Sequence, residues 1–186
     1  MAIDRTGFTL APSTDQFTGF DVGISGDHGY IHQGKAFSAM GQASLAAAGV
    51  YSLTLTTPAA SVGYVHLRPA FFSSSASYAK LTIMEAPTFT AGTAATPINR
   101  NRNSATAATA VYKYNAGYTS GGTILDITTV GTGGNPTARA GGGTGADAEL
   151  VLKPATTYLF YIENPTGGAT SNITWNLFWY EEDSGV

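Results

Sequence analysis

The stretch "NITWNLFWYEE", residues 172–182, constrains the fold of this chain more than any other. Ile173, Trp175, Leu177 and Trp179 alternate with Thr174, Asn176, Phe178 and Tyr180. A period of two sends alternate side chains to opposite faces of a strand, so both tryptophans share one face. Filling a core is the simplest role for them; a stacking platform for sugars would need them exposed, and periodicity leaves that open. Just upstream, "TTYLFYIEN" (156–164) is nearly continuous in apolar residues. That pattern predicts a strand running through the middle of a sheet.

Shorter strand signals recur along the chain. "VYSLTLTTP" (50–58) alternates Tyr51, Leu53 and Leu55 against Ser52, Thr54 and Thr56, which predicts one wet face, and it ends at Pro58. "VGYVHLRP" (62–69) is expected to end in the same way at Pro69, and "YAKLTIME" sets Leu81 and Ile83 against Lys80 and Thr82. "AVYKYNAG", "GTILDITTV" and "AELVLKP" are further short candidates. Helical periodicity is not convincing anywhere; "SLAAAGV" (44–50) reads as a short helix or turn, capped by Ser44 and ended by Gly49. Many short strands separated by Gly, Ser, Thr, Pro and Asn imply an all-β, two-sheet antiparallel sandwich, with a jelly roll the expected arrangement. The organisation expected is an N-terminal arm over 1–16 and a single β-sandwich domain over 17–186. A chain of 186 residues buries roughly 70% of its unfolded surface and needs no staples.

Charge narrows the function. Only 11% of residues are charged, against about 25% in ordinary soluble domains, so the polar surface must be Thr, Ser, Asn and Gly. A surface so poor in charge is weakly protected against self-association and suits contact with other protein surfaces, although an acidic-neutral secreted β protein fits too. The net charge of −3 is no footprint for nucleic acid or an anionic membrane. With no cysteine, disulfides, thiolate zinc sites and thiol catalysis are excluded. "MAIDRTGFTL" has no apolar stretch of the signal-peptide kind, and no apolar run approaches the ~20 residues of a membrane helix.

Motifs of chemistry do not accumulate. The glycine-rich stretch Gly131 to Gly145 lacks the Lys-Ser/Thr of a phosphate loop, and Pro136 stands where a dinucleotide fingerprint needs its third glycine. A loop of that length is normally functional or disordered. In "DHGYIH", His28 and His32 have the four-residue spacing that matters for metals on a helix, but Gly26 and Gly29 argue for a turn leading into a strand. Ordinary hydrogen-bonded histidines, with His66 among them, are the expectation. A metal would need converging carboxylates, of which Glu85 is the only mid-chain candidate. Asp147 and Glu149 flank the glycine loop, and Glu181, Glu182 and Asp183 read as a solvated C-terminal end. No carboxylate pair stands out and no G-x-S-x-G elbow is present. The sequon at Asn172 is attributed to chance. No enzyme activity, cofactor or metal is expected.

"PINRNRNSATAATAV" (97–111) is the most distinctive segment left. Arginine presents a planar, permanently charged fork, and asparagine both donates and accepts while tolerating tight turns. Alternating them makes a surface rich in directed hydrogen bonds. It is either a contact with another chain or a solvated loop between strands.

The order of motifs resembles tailed-bacteriophage head decoration, or auxiliary capsid, proteins. The resemblance is carried by "IHQGKAFSA" (31–39), "LTLTTP" (53–58), "EAPTFTAGT" (85–93) and "PINRNRNS" (97–104). It continues through "ARAGGG" (138–143), "LVLKPATTYLFYIEN" (150–164) and "ITWNLFWYEE" (173–182). It spans most of the chain from about Ile31 onward and rests on framework, not on a catalytic signature. It implies a non-enzymatic virion protein on the outer capsid surface, a β-sandwich forming homotrimers that clamp neighbouring major capsid protein subunits. Nucleic acid and membrane are not implied as partners. The interface residues expected are Arg100, Asn101, Arg102 and Arg139, with Asp4, Arg5 and Phe8 from an arm that reaches a neighbour. Two other readings remain: a carbohydrate-binding module, for which ten tyrosines and two tryptophans could supply stacking surfaces, and a receptor-binding or tail component of a virion.

Overall fold

The computed structural model describes residues 26–73, 78–131, 140–143, 149–165 and 170–183. The boundary expected between residues 16 and 17 lies outside them, as do Asp4, Arg5, Phe8 and Arg139. One helix, α1 (Gly26–His32), is followed by β1 (Ala36–Leu45), β2 (Val50–Thr56), β3 (Gly63–Ser73) and β4 (Ala79–Glu85). A run of short strands comes next: β5 (Thr88–Thr90), β6 (Thr93–Ala95), β7 (Ile98–Asn99), β8 (Val111–Tyr114) and β9 (Gly117–Ser120). The chain then forms β10 (Thr123–Val130), β11 (Ala140–Gly143), β12 (Leu150–Leu152), β13 (Thr157–Glu163) and β14 (Ser171–Asp183).

Two antiparallel sheets form, as the alternating patterns predict. The first runs β11–β3–β14–β1–β7, with β12 also on β3; the second runs β10–β4–β13–β2–β8–β6. β11 pairs with Ala70 to Ser73 and β12 with Val65 to Leu67, so the two form one interrupted edge of a sheet five strands wide. A separate ribbon joins β5 to β9.

The core lies between the two sheets. Trp175 and Trp179 point into it with Ile173 and Leu177 from β14, meeting Leu53 and Leu55 of β2, Leu81 and Ile83 of β4, and Phe160 and Ile162 of β13. β13 runs between β4 and β2, the central place its continuous apolar run required. Gly41 makes room for Trp175: a Cβ there would stand 2.4 Å from the indole Cζ2.

Five local expectations are corrected. α1 is a helix where a turn leading into a strand was expected. β3 continues through Pro69 to Ser73; Pro69 falls in the gap between the stretches paired by β12 and β11, where a residue without N–H costs the ladder least. Part of the glycine-rich stretch is strand β11. "SLAAAGV" forms the expected turn before β2, with Gly49 N–H bonding the Ala46 carbonyl at 2.8 Å, but Ser44 is not its cap: it lies within β1, which ends at Leu45. Ser52 and Thr54 on β2 are buried, not wet. Thr54 pairs with Leu159, which joins Met84 and Ala116 in a second apolar cluster with Phe89 of the ribbon packed against it.

Candidate interaction surface

The outward face of the first sheet carries the functional candidates. Cross-strand register assembles it in rows. Val151, His66, Tyr180 and Ala36 form one, and Arg68, Phe178, Ser38 and Ile98 form the next. Beyond lie Ala70, Asn176 and Met40, then Phe72, Thr174 and Gln42.

A polar and aromatic cluster fixes one end of this face. The Glu149 carboxylate accepts the Tyr180 hydroxyl at 2.6 Å, His66 Nδ1 at 2.8 Å and Arg68 Nε at 2.7 Å. Arg68 Nη2 approaches at 2.6 Å, and His66 Nε2 lies 3.2 Å from Glu182. Burial pushes the Glu149 carboxyl up, but bonds from Tyr180, His66 and Arg68 outweigh it and hold it below the usual range. The Tyr180 hydroxyl is pushed well up by burial and by that carboxylate. Chemically the cluster is closed on itself: both Glu149 oxygens hold donors of this chain. Its work is to join β3, β14 and the segment before β12.

Tyr180 also anchors α1. Its ring stacks on Tyr30 at 4.5 Å and on His66 at 4.5 Å. The helix brings His28 and His32 onto one face with their Nε2 atoms 3.0 Å apart. Among the described residues no group of three His, Asp or Glu side chains gathers that could hold a metal ion. Glu85 is engaged elsewhere, accepting from Lys153 at 2.7 Å and the Tyr158 hydroxyl at 3.1 Å.

The Asn-Arg segment borders the same face, and its residue types divide the labour. The asparagines build the turn. Asn99 is buried and donates to the carbonyls of Gly34 and Thr106, each at 2.8 Å, while its Oδ1 receives Asn101 N–H at 2.9 Å. Asn101 repeats the motif, receiving Asn103 N–H at 3.1 Å and donating to the His32 carbonyl at 3.0 Å. The segment is thereby stitched to β1 and to the end of α1. The arginines point outward and are exposed. The Arg100 guanidinium lies 5.2 Å from the Phe178 ring centroid, within cation–π range.

Of the interface residues expected from sequence, Arg100, Asn101 and Arg102 therefore sit together on one surface turn, with Asn101 serving the turn more than the surface. Sequence reasoning missed the apolar part. Met40 is 58% exposed and Ile98 43% exposed, diagonal neighbours beside Arg100 and Phe178. The signal was available in β14, whose parity puts Phe178 and Tyr180 opposite the tryptophans. At the far end of the face a hollow of about 620 Å³ is lined by Gln42, Ser44, Phe72, Asn172 and Thr174. Comparison with protein-family models and with curated protein sequences found no match.

Proposed function

We propose that this chain is a non-enzymatic virion protein that decorates the outer surface of a phage capsid, and that its sandwich is a jelly roll. The resemblance in sequence motifs suggests the family, and the strand order supports the topology. A jelly roll built from eight successive strands has its first, eighth, third and sixth strands in one sheet and its second, seventh, fourth and fifth in the other. With β5 to β9 taken as an insertion between the fourth and fifth strands, and β11 with β12 as an interrupted sixth, the observed order β1–β14–β3–β11/β12 opposite β2–β13–β4–β10 fits that scheme.

One observation carries the functional reading: a rigid outward patch in which Arg100 lies on Phe178 beside exposed Met40 and Ile98. Arg, Met and aromatic residues are the types enriched at protein interfaces. The stitched asparagine turn holds Arg100 in place before any partner arrives, which lowers the ordering cost of docking. The major capsid protein is the proposed partner. Homotrimers would multiply modest footholds through effective concentration. No cofactor, nucleic acid or membrane enters this reading.

The test mixes purified protein with undecorated heads and images them. Symmetric, stoichiometric density is expected on the shell. The double variant Arg100→Ala, Met40→Ser should bind at least tenfold more weakly with an unchanged melting temperature, because both side chains are exposed. Deleting residues 1–16 should also weaken binding. No density, or full binding by the double variant, would overturn the assignment.

The hollow favours a second reading. An exposed Phe72 ring beside the amides of Gln42 and Asn172 and the hydroxyls of Ser44 and Thr174 suits a neutral sugar. Both tryptophans are buried, so Phe72 replaces them as the stacking surface. Saturation-transfer NMR against a panel of neutral glycans, lost in Phe72→Ala, is the outcome that would support it.

A further inference from the structure

The two main sheets have four edges, and three are short. β6 has three residues, β7 two, and the β11/β12 edge is broken into pieces of four and three. Short edge strands are one means of preventing unwanted pairing. The fourth edge is β10, eight residues long, TILDITTV. It pairs with β4 on one side, and among the described residues no strand pairs with the other. A bulge between Ile124 and Asp126 disturbs its start. From Asp126 to Val130 the register with β4 is unbroken. Ile127 is 52% exposed and Ile124 57%, although β-branched residues of this kind belong on covered sheet surfaces.

We infer that β10 is a docking edge for a second copy of this chain, the two strands pairing antiparallel about a twofold axis at Ile127. Charge decides the occupant and the register. Asp126 is the only charged residue of β10. A twofold centred on Ile127 sets the Ile127 side chains of the two copies opposite one another and Asp126 opposite Thr128 of the second copy. Thr128 donates its hydroxyl to Asp126 within one strand at 3.1 Å, and in this register the same proton can turn instead to the facing Asp126 carboxylate, so the pairing keeps each carboxylate opposite a donor. Leu125 then faces Thr129, and Ile124 faces Val130. Shifting the axis to Asp126 would oppose two carboxylates, which is destabilising. One strand thus supplies both halves of an isologous contact.

This contact goes beyond the decoration reading. If that reading holds, a trimer whose subunits also pair across twofold axes forms a continuous net over a shell, since closed shells contain both kinds of axis. The pairing itself does not depend on capsids and is tested without them.

The chain has no cysteine, so a single Ile127→Cys variant reports on one position. Under mild oxidation it should form a covalent dimer on a non-reducing gel. Thr123→Cys should not, because two copies of residue 123 would lie about 27 Å apart in this register. Sedimentation of the wild type across a concentration series should show the assembly mass doubling. Ile127→Lys should weaken that step at least tenfold while leaving the melting temperature unchanged. Equal cross-linking of the two cysteine variants, or no mass doubling in the wild type, would overturn the inference. So would hydrogen-exchange protection, at concentrations too low for association, of the β10 amides that point away from β4, which would assign the edge to another segment of the same chain.

Discussion

Glu181 shows how much one side chain does in this sandwich. It is buried near the end of β14, where its carboxylate accepts the Thr109 N–H at 2.9 Å and the Thr109 hydroxyl at 2.7 Å. It also accepts the Ala110 N–H at 3.0 Å and the Trp179 indole N–H at 3.1 Å. It ties the chain leading into β8 to β14. The reading of residues 181–183 as a solvated end fails here for a reason visible in parity: 181 continues the inward series 173, 175, 177, 179. Glu181→Ala would strand several buried donors, and we expect a loss of about 3 kcal/mol in urea unfolding. Glu181→Gln, which keeps the shape and most acceptors, should lose about half as much. Gly41→Ala should cost about 1–3 kcal/mol by pressing a methyl into Trp175, although glycine to alanine in a strand is otherwise favourable.

At the scale of elements, what sequence revealed and what it hid follow from the range of the forces involved. β13 and β14 were legible because their patterns are local: a continuous apolar run and a strict alternation each define a strand without reference to anything else. α1 was hidden because two glycines in seven residues give it almost no intrinsic preference. It forms against the sheet, through Tyr30 on Tyr180, a contact 150 residues away in sequence. β11 and the passage of β3 through Pro69 depend on pairing between distant segments, which no window of local sequence contains. The candidate surface divides along the same line. Arg100 stood out by composition, whereas Met40 became a candidate only when register placed it beside Phe178. Tyr30→Ala therefore tests an element that tertiary contact alone sustains. Amide exchange over residues 26–32 should accelerate at least tenfold. The melting temperature should fall by about 3 °C, as expected for one aromatic pair lost from a domain of this size.

The whole molecule resists alkali and yields to it through its tyrosines. Burial raises the hydroxyls of Tyr51, Tyr112, Tyr158, Tyr161 and Tyr180 above the ordinary value of 10.0, and Tyr158 is pushed up to about 12. A group whose folded value is raised holds its proton in the native state after the unfolded chain has released it. The stability it contributes is complete below pH 10 and falls as pH climbs from there towards 12. The carboxyls run the other way. Glu85, held low chiefly by the Lys153 hydrogen bond, and Glu149 are depressed in the fold. Their contribution is present at neutral pH and disappears as pH drops below about 4.3 and through their folded values. Stability should therefore form a plateau across the neutral range, with edges at both ends. Denaturant midpoints should stay level from pH 6 to 9 and decline from pH 10 upward. Ionisation of Tyr51, Tyr112, Tyr158, Tyr161 and Tyr180 should appear as a late rise in tyrosinate absorbance above pH 10, together with loss of the native tryptophan spectrum. Tyr158→Phe and Tyr180→Phe should each shrink that late rise by one chromophore, and a folded protein with no such late rise would contradict the packing described.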